Sequence, residues 1–189
     1  MFTPHNRRSI RLKDYDYSQS GLYFVTICAK NRELLFGNVQ DGEMKLSEYG
    51  VCADKCWNDI PLHFPNVVLH KYVVMPNHIH GIIEIVDAGN GNNVGANYVG
   101  AKNFSPLQIP TQQTPQPEQT PPRPMGTSRT VGSIVRGFKI GVTKGIGFSP
   151  WQRNYYERII RDENAYNTIT EYIEQNPSKW ESDCFYGNE

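Results

Sequence analysis

Two histidines one residue apart, His78 and His80, lie within YVVMPNHIHGII, Tyr72 to Ile83. The surrounding residues are β-branched and aliphatic, so the run reads as a β-strand, along which side chains alternate faces. His78 and His80 then point one way and Ile79 the other. Two imidazoles on one face of a rigid strand can share a divalent cation. An isolated His-x-His more often means a hydrogen-bonded, partly buried pair. The weight must therefore come from the rest of the chain.

The elements that would position this pair can be read in order. GLYFVTICA, Gly21 to Ala29, has the aromatic and β-branched content of a strand. A hairpin is expected next, with LLFGNV and MKLS as strands and Gln40-Asp41-Gly42 in the turn. Ser47 can cap a helix to about Ile60 that Pro61 ends, with Tyr49, Cys52, Ala53, Cys56 and Ile60 facing the sheet. A strand pair follows, Val67 to Val74 and His80 to Val86, broken at Pro76-Asn77. That break would put the histidines near a strand start, where a site can open to solvent. Val131, Ile134, Val135, Phe138 and Val142 make an apolar helix stripe that leaves Arg136 and Lys139 towards water or ligand. WQRNYYERII reads as a strand, and Asp162 begins a last helix that runs to about Asn176 and ends at Pro177. These elements predict an α+β fold, a ferredoxin-like antiparallel sheet with helices packed on it.

At 189 residues the chain suits one domain, 1–189. Residues 87–130 break the pattern. Their Gly-Asn repeats and TQQTPQPEQTPPRP have little to offset the entropy of ordering, which predicts a flexible insertion. No apolar run has the length of a membrane span, and four cysteines without a zinc-type partner pair fit a reducing cytoplasm. Cys52 and Cys56 read as small buried apolar residues. Net charge is zero, but its distribution is uneven. Arg7, Arg8, Arg11 and Lys13 precede the first acid, and Arg136, Lys139, Lys144, Arg153, Arg158 and Arg161 share their stretch with only Glu157. Such clustering suits a phosphate-binding face. Each residue taken singly could as well be a solvated edge.

The chain resembles the REP-associated tyrosine transposases, an insertion-sequence-two-hundred-like branch of the HUH single-strand nucleases. The resemblance is carried in order by NRRSIRLKDYDYSQSGLYFVTIC, HFPNVVLHKYVVMPNHIHGII, TVGSIVRGFK, WQRNYYERIIRDE and YIEQNPSKW. It implies a metal held by His78, His80 and an amide side chain, and a tyrosine that attacks DNA. The matching nucleophile is Tyr172 in EYIEQN, with Asn176 four residues on, so both fall on one helical face. Gln175 is the rival amide. Without the resemblance Tyr172 would read as a core tyrosine beside Ile169 and Ile173.

The implied substrate is single-stranded or hairpin DNA, cut and rejoined near palindromes through a 5′-phosphotyrosine. A tyrosine ester conserves the bond energy that hydrolysis would lose. A phenol titrating near about 10 needs help to ionise, and a divalent ion, Mg²⁺ or Mn²⁺, would assist at the phosphate. Zinc with three ligands and a water is the other option. Arg7, Arg8, Arg11, Arg136, Lys139, Arg153 and Arg158 are the candidate DNA contacts. Tyr155 and Tyr156 are rival nucleophiles of which alternation lets only one face the site; the simpler expectation is that one packs in the core and the other stacks on a base or faces solvent. Two further readings stay open: a domesticated, non-cutting hairpin-DNA-binding protein, and a phosphodiesterase that uses water. A homodimer is also open, in which the Tyr172 helix would complete the partner's site.

Overall fold

Near-continuous runs of β-branched and aromatic residues, buried on both faces, build the central strands of the sheet. In the computed structural model, which describes residues 19–86 and 130–186, the strands are β1 (Gly21–Cys28), β2 (Gly37–Gln40), β3 (Glu43–Leu46), β4 (Val67–Val74), β5 (His78–Ile85) and β6 (Tyr156–Ile160). The helices are α1 (Glu48–Asn58), α2 (Ile60–His63), α3 (Val131–Ile146) and α4 (Glu163–Gln175). Four strands form one sheet of order β4-β5-β1-β6, antiparallel at each junction, and β2 pairs with β3 apart from it. Helices connect β1 to β4 and β5 to β6, which is the ferredoxin-like pattern.

Each sheet face has its own core. Tyr23, Val25, Ile27, Ile79 and Ile83 meet Trp57 of α1 and Val131, Ile134, Val135 and Phe138 of α3. Phe24, Ile82 and Ile160 meet Ile169 and Ile173 of α4 on the other side. The α3 stripe is the one expected from its spacing, and Thr130 caps it by accepting from the Ser133 amide. Gly81 lies where a Cβ would strike the Trp57 ring, so α1 can press directly onto β5. The β2–β3 turn holds Asp41 and Gly42 at φ 53 and 73, the left-handed pair that a tight hairpin requires.

Three local expectations need correction. Pro61 does not stop the helical path; it sits in the first turn of α2, where its missing N–H costs nothing. Tyr49 does not face the sheet: α1 buries Gly50, Ala53 and Trp57, and Tyr49 lies edge-on to Phe148 near the surface. Cys52 and Cys56 are only half-buried. Pro177 does end α4, which stops at Gln175, and it then starts a 3₁₀ segment, Pro177–Ser182. Arg7, Arg8, Arg11 and the stretch 87–129 lie outside the described residues. No helix among the described residues is long and apolar enough to cross a membrane.

Candidate metal and nucleophile site

β5 begins at His78, immediately after the Pro76-Asn77 turn, and sits between β4 and β1. His78 and His80 therefore share the face covered by α4, with ring centroids 4.3 Å apart, and both are buried. Each ring is oriented by a neighbour. Asn77 donates through Nδ2 to the carbonyls of Arg32 and Phe185, which turns its Oδ1 to His78 Nδ1 at 2.8 Å. His78 must then carry its proton on Nδ1 and leave Nε2 bare. Thr26 Oγ1 lies 2.8 Å from His80 Nδ1. With Nδ1–H donating there, His80 Nε2 also offers a lone pair.

Helix α4 brings the tyrosine. Asp162 caps its N-terminus by accepting from the Ala165 amide at 2.8 Å. Ile169 and Ile173 dock on Phe24 and Ile82, and Lys71 of β4 pairs with Glu174 at 2.6 Å. Tyr172 is thereby held 41% exposed, with its hydroxyl 3.0 Å from His80 Nε2 of the same chain. Histidines and tyrosine therefore meet within one protomer. Burial first, then the Asp183 carboxylate, pushes the Tyr172 hydroxyl up to about 12. Burial also holds His78 well below its usual range and lowers His80 to about 4, so both are neutral near pH 7.

Asn176 caps the C-terminus of α4 and is buried, with Nδ2 donating to Asp183 Oδ2 at 2.9 Å. Its Oδ1 is buried without a hydrogen-bond partner, and so is His78 Nε2. Unpaired buried acceptors are costly, and a bound cation would satisfy them. Gln175 is turned elsewhere: Nε2 donates to Glu171 at 2.7 Å and Oε1 accepts from Lys179 at 2.6 Å. Asn176, by contrast, is bonded to Asp183, which lies in the histidine cluster.

Asp183 was not legible as a site residue. The 3₁₀ segment after Pro177 folds the chain back, so that Phe185 packs on His78 with centroids 4.4 Å apart. This puts the Asp183 carboxylate in one cluster with His78 and His80, their ligand atoms all within 4.8 Å of one another. Two imidazole nitrogens and a carboxylate could together hold a divalent metal ion, a set with an oxygen ligand the sequence did not suggest. Thr26 was also missed, though a hydroxyl in an otherwise apolar strand was a usable signal.

The candidate DNA contacts do not gather on one face. Arg158 lies on β6 opposite Phe24, hence on the face of the histidines, and is exposed. Arg136 is exposed on α3, the helix that covers the opposite face. Arg153 is exposed in the segment before β6. Lys139 does not extend to water or ligand as expected; its Nζ donates to the carbonyls of Gln152 and Asn154 at 2.8 and 3.0 Å. Burial lowers it to about 8. Tyr155 packs with the α1/α3 core, whereas Tyr156 is exposed. His70 bridges Tyr166 and Glu84, at 3.0 and 2.8 Å.

No family model matches the chain. An uncharacterized protein of Haemophilus influenzae (strain Rd) is 48% identical over 187 residues, 96% of this chain and 94% of that protein. Among solved structures, a REP-associated tyrosine transposase bound to a REP hairpin aligns at TM-score 0.55 with 18% identity, over 90% of this chain and 74% of that one. A crystal structure from Deinococcus radiodurans aligns more distantly, at TM-score 0.42 with 14% identity, over 87% of this chain and 95% of that one.

Proposed function

This chain belongs to one family with the Haemophilus influenzae protein, and we propose that it is a metal-dependent tyrosine transposase, a nuclease and strand transferase for single-stranded or hairpin DNA. The observation that carries this reading is the meeting of the Tyr172 hydroxyl with His80 Nε2, together with the unpaired His78 Nε2 and Asn176 Oδ1. The transposase with the same fold adds support, as does the hairpin it binds.

His78, His80, Asn176 and Asp183 would hold Mg²⁺ or Mn²⁺, which when bound would polarise the scissile phosphate and steady the leaving oxygen. Asn77 fixes His78 in the tautomer that offers Nε2, and Thr26 orients the His80 ring. Tyr172 supplies the nucleophile. Its oxygen attacks phosphorus, the bond from phosphorus to the 3′ oxygen breaks, and the 5′ phosphate stays esterified to the tyrosine. The phenol proton has an acceptor in Asp183 Oδ2, 3.5 Å from the hydroxyl. The 3′ oxygen leaves as a hydroxyl once protonated, and the same hydroxyl can later attack the ester to rejoin the strand.

Incubating the protein with end-labelled hairpin DNA and Mn²⁺, then denaturing it, tests the reading. Label retained on protein is expected. Cutting without retained label would make the protein a hydrolase, and binding without cutting would make it a hairpin-binding module.

A further inference from the structure

The row of side chains crossing the sheet at the site extends beyond His80. Thr26 is the cross-strand partner of His80 on one side and of Tyr156 on the other, so all three share a face. Adjacent strands lie about 4.8 Å apart, which sets Tyr156 roughly 10 Å from His80 along that row. β6 is the edge strand of the sheet, and Tyr156 is 48% exposed. Its ring meets Phe24 at 70°, with centroids 6.5 Å apart. Phe24 in turn meets Tyr172 at 83°, with centroids 6.3 Å apart. Phe24 is thus a spacer that sets the exposed ring at a fixed place beside the nucleophile. Arg158, exposed, follows two residues later on the same face.

On the reading of the protein as a single-strand DNA enzyme, we infer that Tyr156 is the stacking platform for a base flanking the phosphate that Tyr172 attacks. Arg158 pairs with a neighbouring phosphate. A tyrosine needed only for packing would turn inward, as Tyr155 does, where its hydroxyl donates to Glu157 at 2.7 Å. A ring braced against one neighbour and half open to water instead keeps a π-face for a ligand. Every base has a π-face, so such a platform holds the strand in place without choosing its sequence. An arginine beside it supplies the charge that a stacked nucleotide brings. Tyr156 is therefore a substrate-positioning residue that takes no part in the bond changes.

The test is binding of a fluorescent hairpin oligonucleotide with oligothymidine flanks, alongside a series carrying one abasic residue at successive flank positions. Tyr156→Ala should bind the intact flank about tenfold more weakly, and Tyr156→Phe should bind as wild type. One abasic position should cost wild type the same factor and cost Tyr156→Ala nothing more. Mn²⁺ affinity should be equal in all three proteins, because the ring does not touch the metal cluster. Wild-type binding by Tyr156→Ala, or a loss that is the same at every abasic position, overturns the inference. If the phosphotyrosine adduct still forms, only the inference has failed. If wild type neither binds nor labels, the reading beneath it has failed too.

Discussion

The Tyr172 hydroxyl lies 3.0 Å from Nε2 of His80, and one nitrogen lone pair cannot serve both that proton and a metal ion. A metal ion held on that nitrogen would therefore release the phenol from His80, leaving Asp183 Oδ2, 3.5 Å away, as its next acceptor. On the proposed function, that exchange would ready Tyr172 only with the metal bound.

A consequence is that Tyr172→Phe should bind Mn²⁺ more tightly than wild type. The hydrogen bond lost on binding is worth about 1 kcal/mol net, or roughly fivefold in affinity. Calorimetric titration measures this. Weaker binding in the phenylalanine variant would mean that the hydroxyl helps to hold the ion.

The ligand set predicts a ranking. His78→Ala and His80→Ala should abolish the rise in melting temperature on adding Mn²⁺. Asn77→Ala and Thr26→Val, which only orient the rings, should weaken the ion by about tenfold to a hundredfold. Asn176→Ala and Asp183→Asn should fall between these groups, and Gln175→Ala should match wild type. A Gln175 effect larger than that of Asn176 would reverse the assignment.

Acid should destabilise the metal-free protein. Folding holds His80 at about 4 and His78 well below its usual range, through burial in both cases. In the unfolded chain both titrate near about 6.5, so below that pH only the unfolded state takes up protons. Stability that is full above about pH 6.5 should therefore drain as pH falls towards about 4. Thermal melts across this range should show a steep decline that His80→Gln flattens. An identical slope in that variant would show that other groups control the acid limit.

Period-two alternation alone placed His78 and His80 on one face, and helical spacing gave the buried stripe of α3 residue by residue. Both patterns are local, so the sequence carries them openly. Tyr172 and Asn176 were reachable only through family resemblance, because an aromatic beside Ile169 and Ile173 reads as core. Asp183 was out of reach: it arrives by a chain reversal after Pro177, and no period marks it. Lys139 misled for the same reason. It sits on the polar side of its helix, yet the carbonyls that hold it belong to a distant segment.

That correction changes the expected salt dependence. Lys139→Ala should lower stability only slightly, because water can replace the donor at two exposed carbonyls, and should leave the salt slope of DNA binding alone. Arg158→Ala should flatten the slope of log affinity against log salt by about 0.7. Arg136→Ala, across the sheet from the site, should change it less. Binding isotherms at several salt concentrations decide, and equal slopes for Arg136→Ala and Arg158→Ala would mean that DNA reaches both faces.

The most direct test of the account is the identity of the nucleophile. Hairpin DNA is incubated with wild type, Tyr172→Phe, Tyr155→Phe and Tyr156→Phe in Mn²⁺, and any adduct is digested and mapped by mass spectrometry. The account predicts a phosphodiester-linked nucleotide on Tyr172 in wild type. It also predicts complete loss of adduct and cleavage in Tyr172→Phe, with the fold and DNA affinity kept, because the change removes one oxygen and almost no volume. Adduct formation by Tyr172→Phe, or a map that falls on Tyr155 or Tyr156, would contradict it.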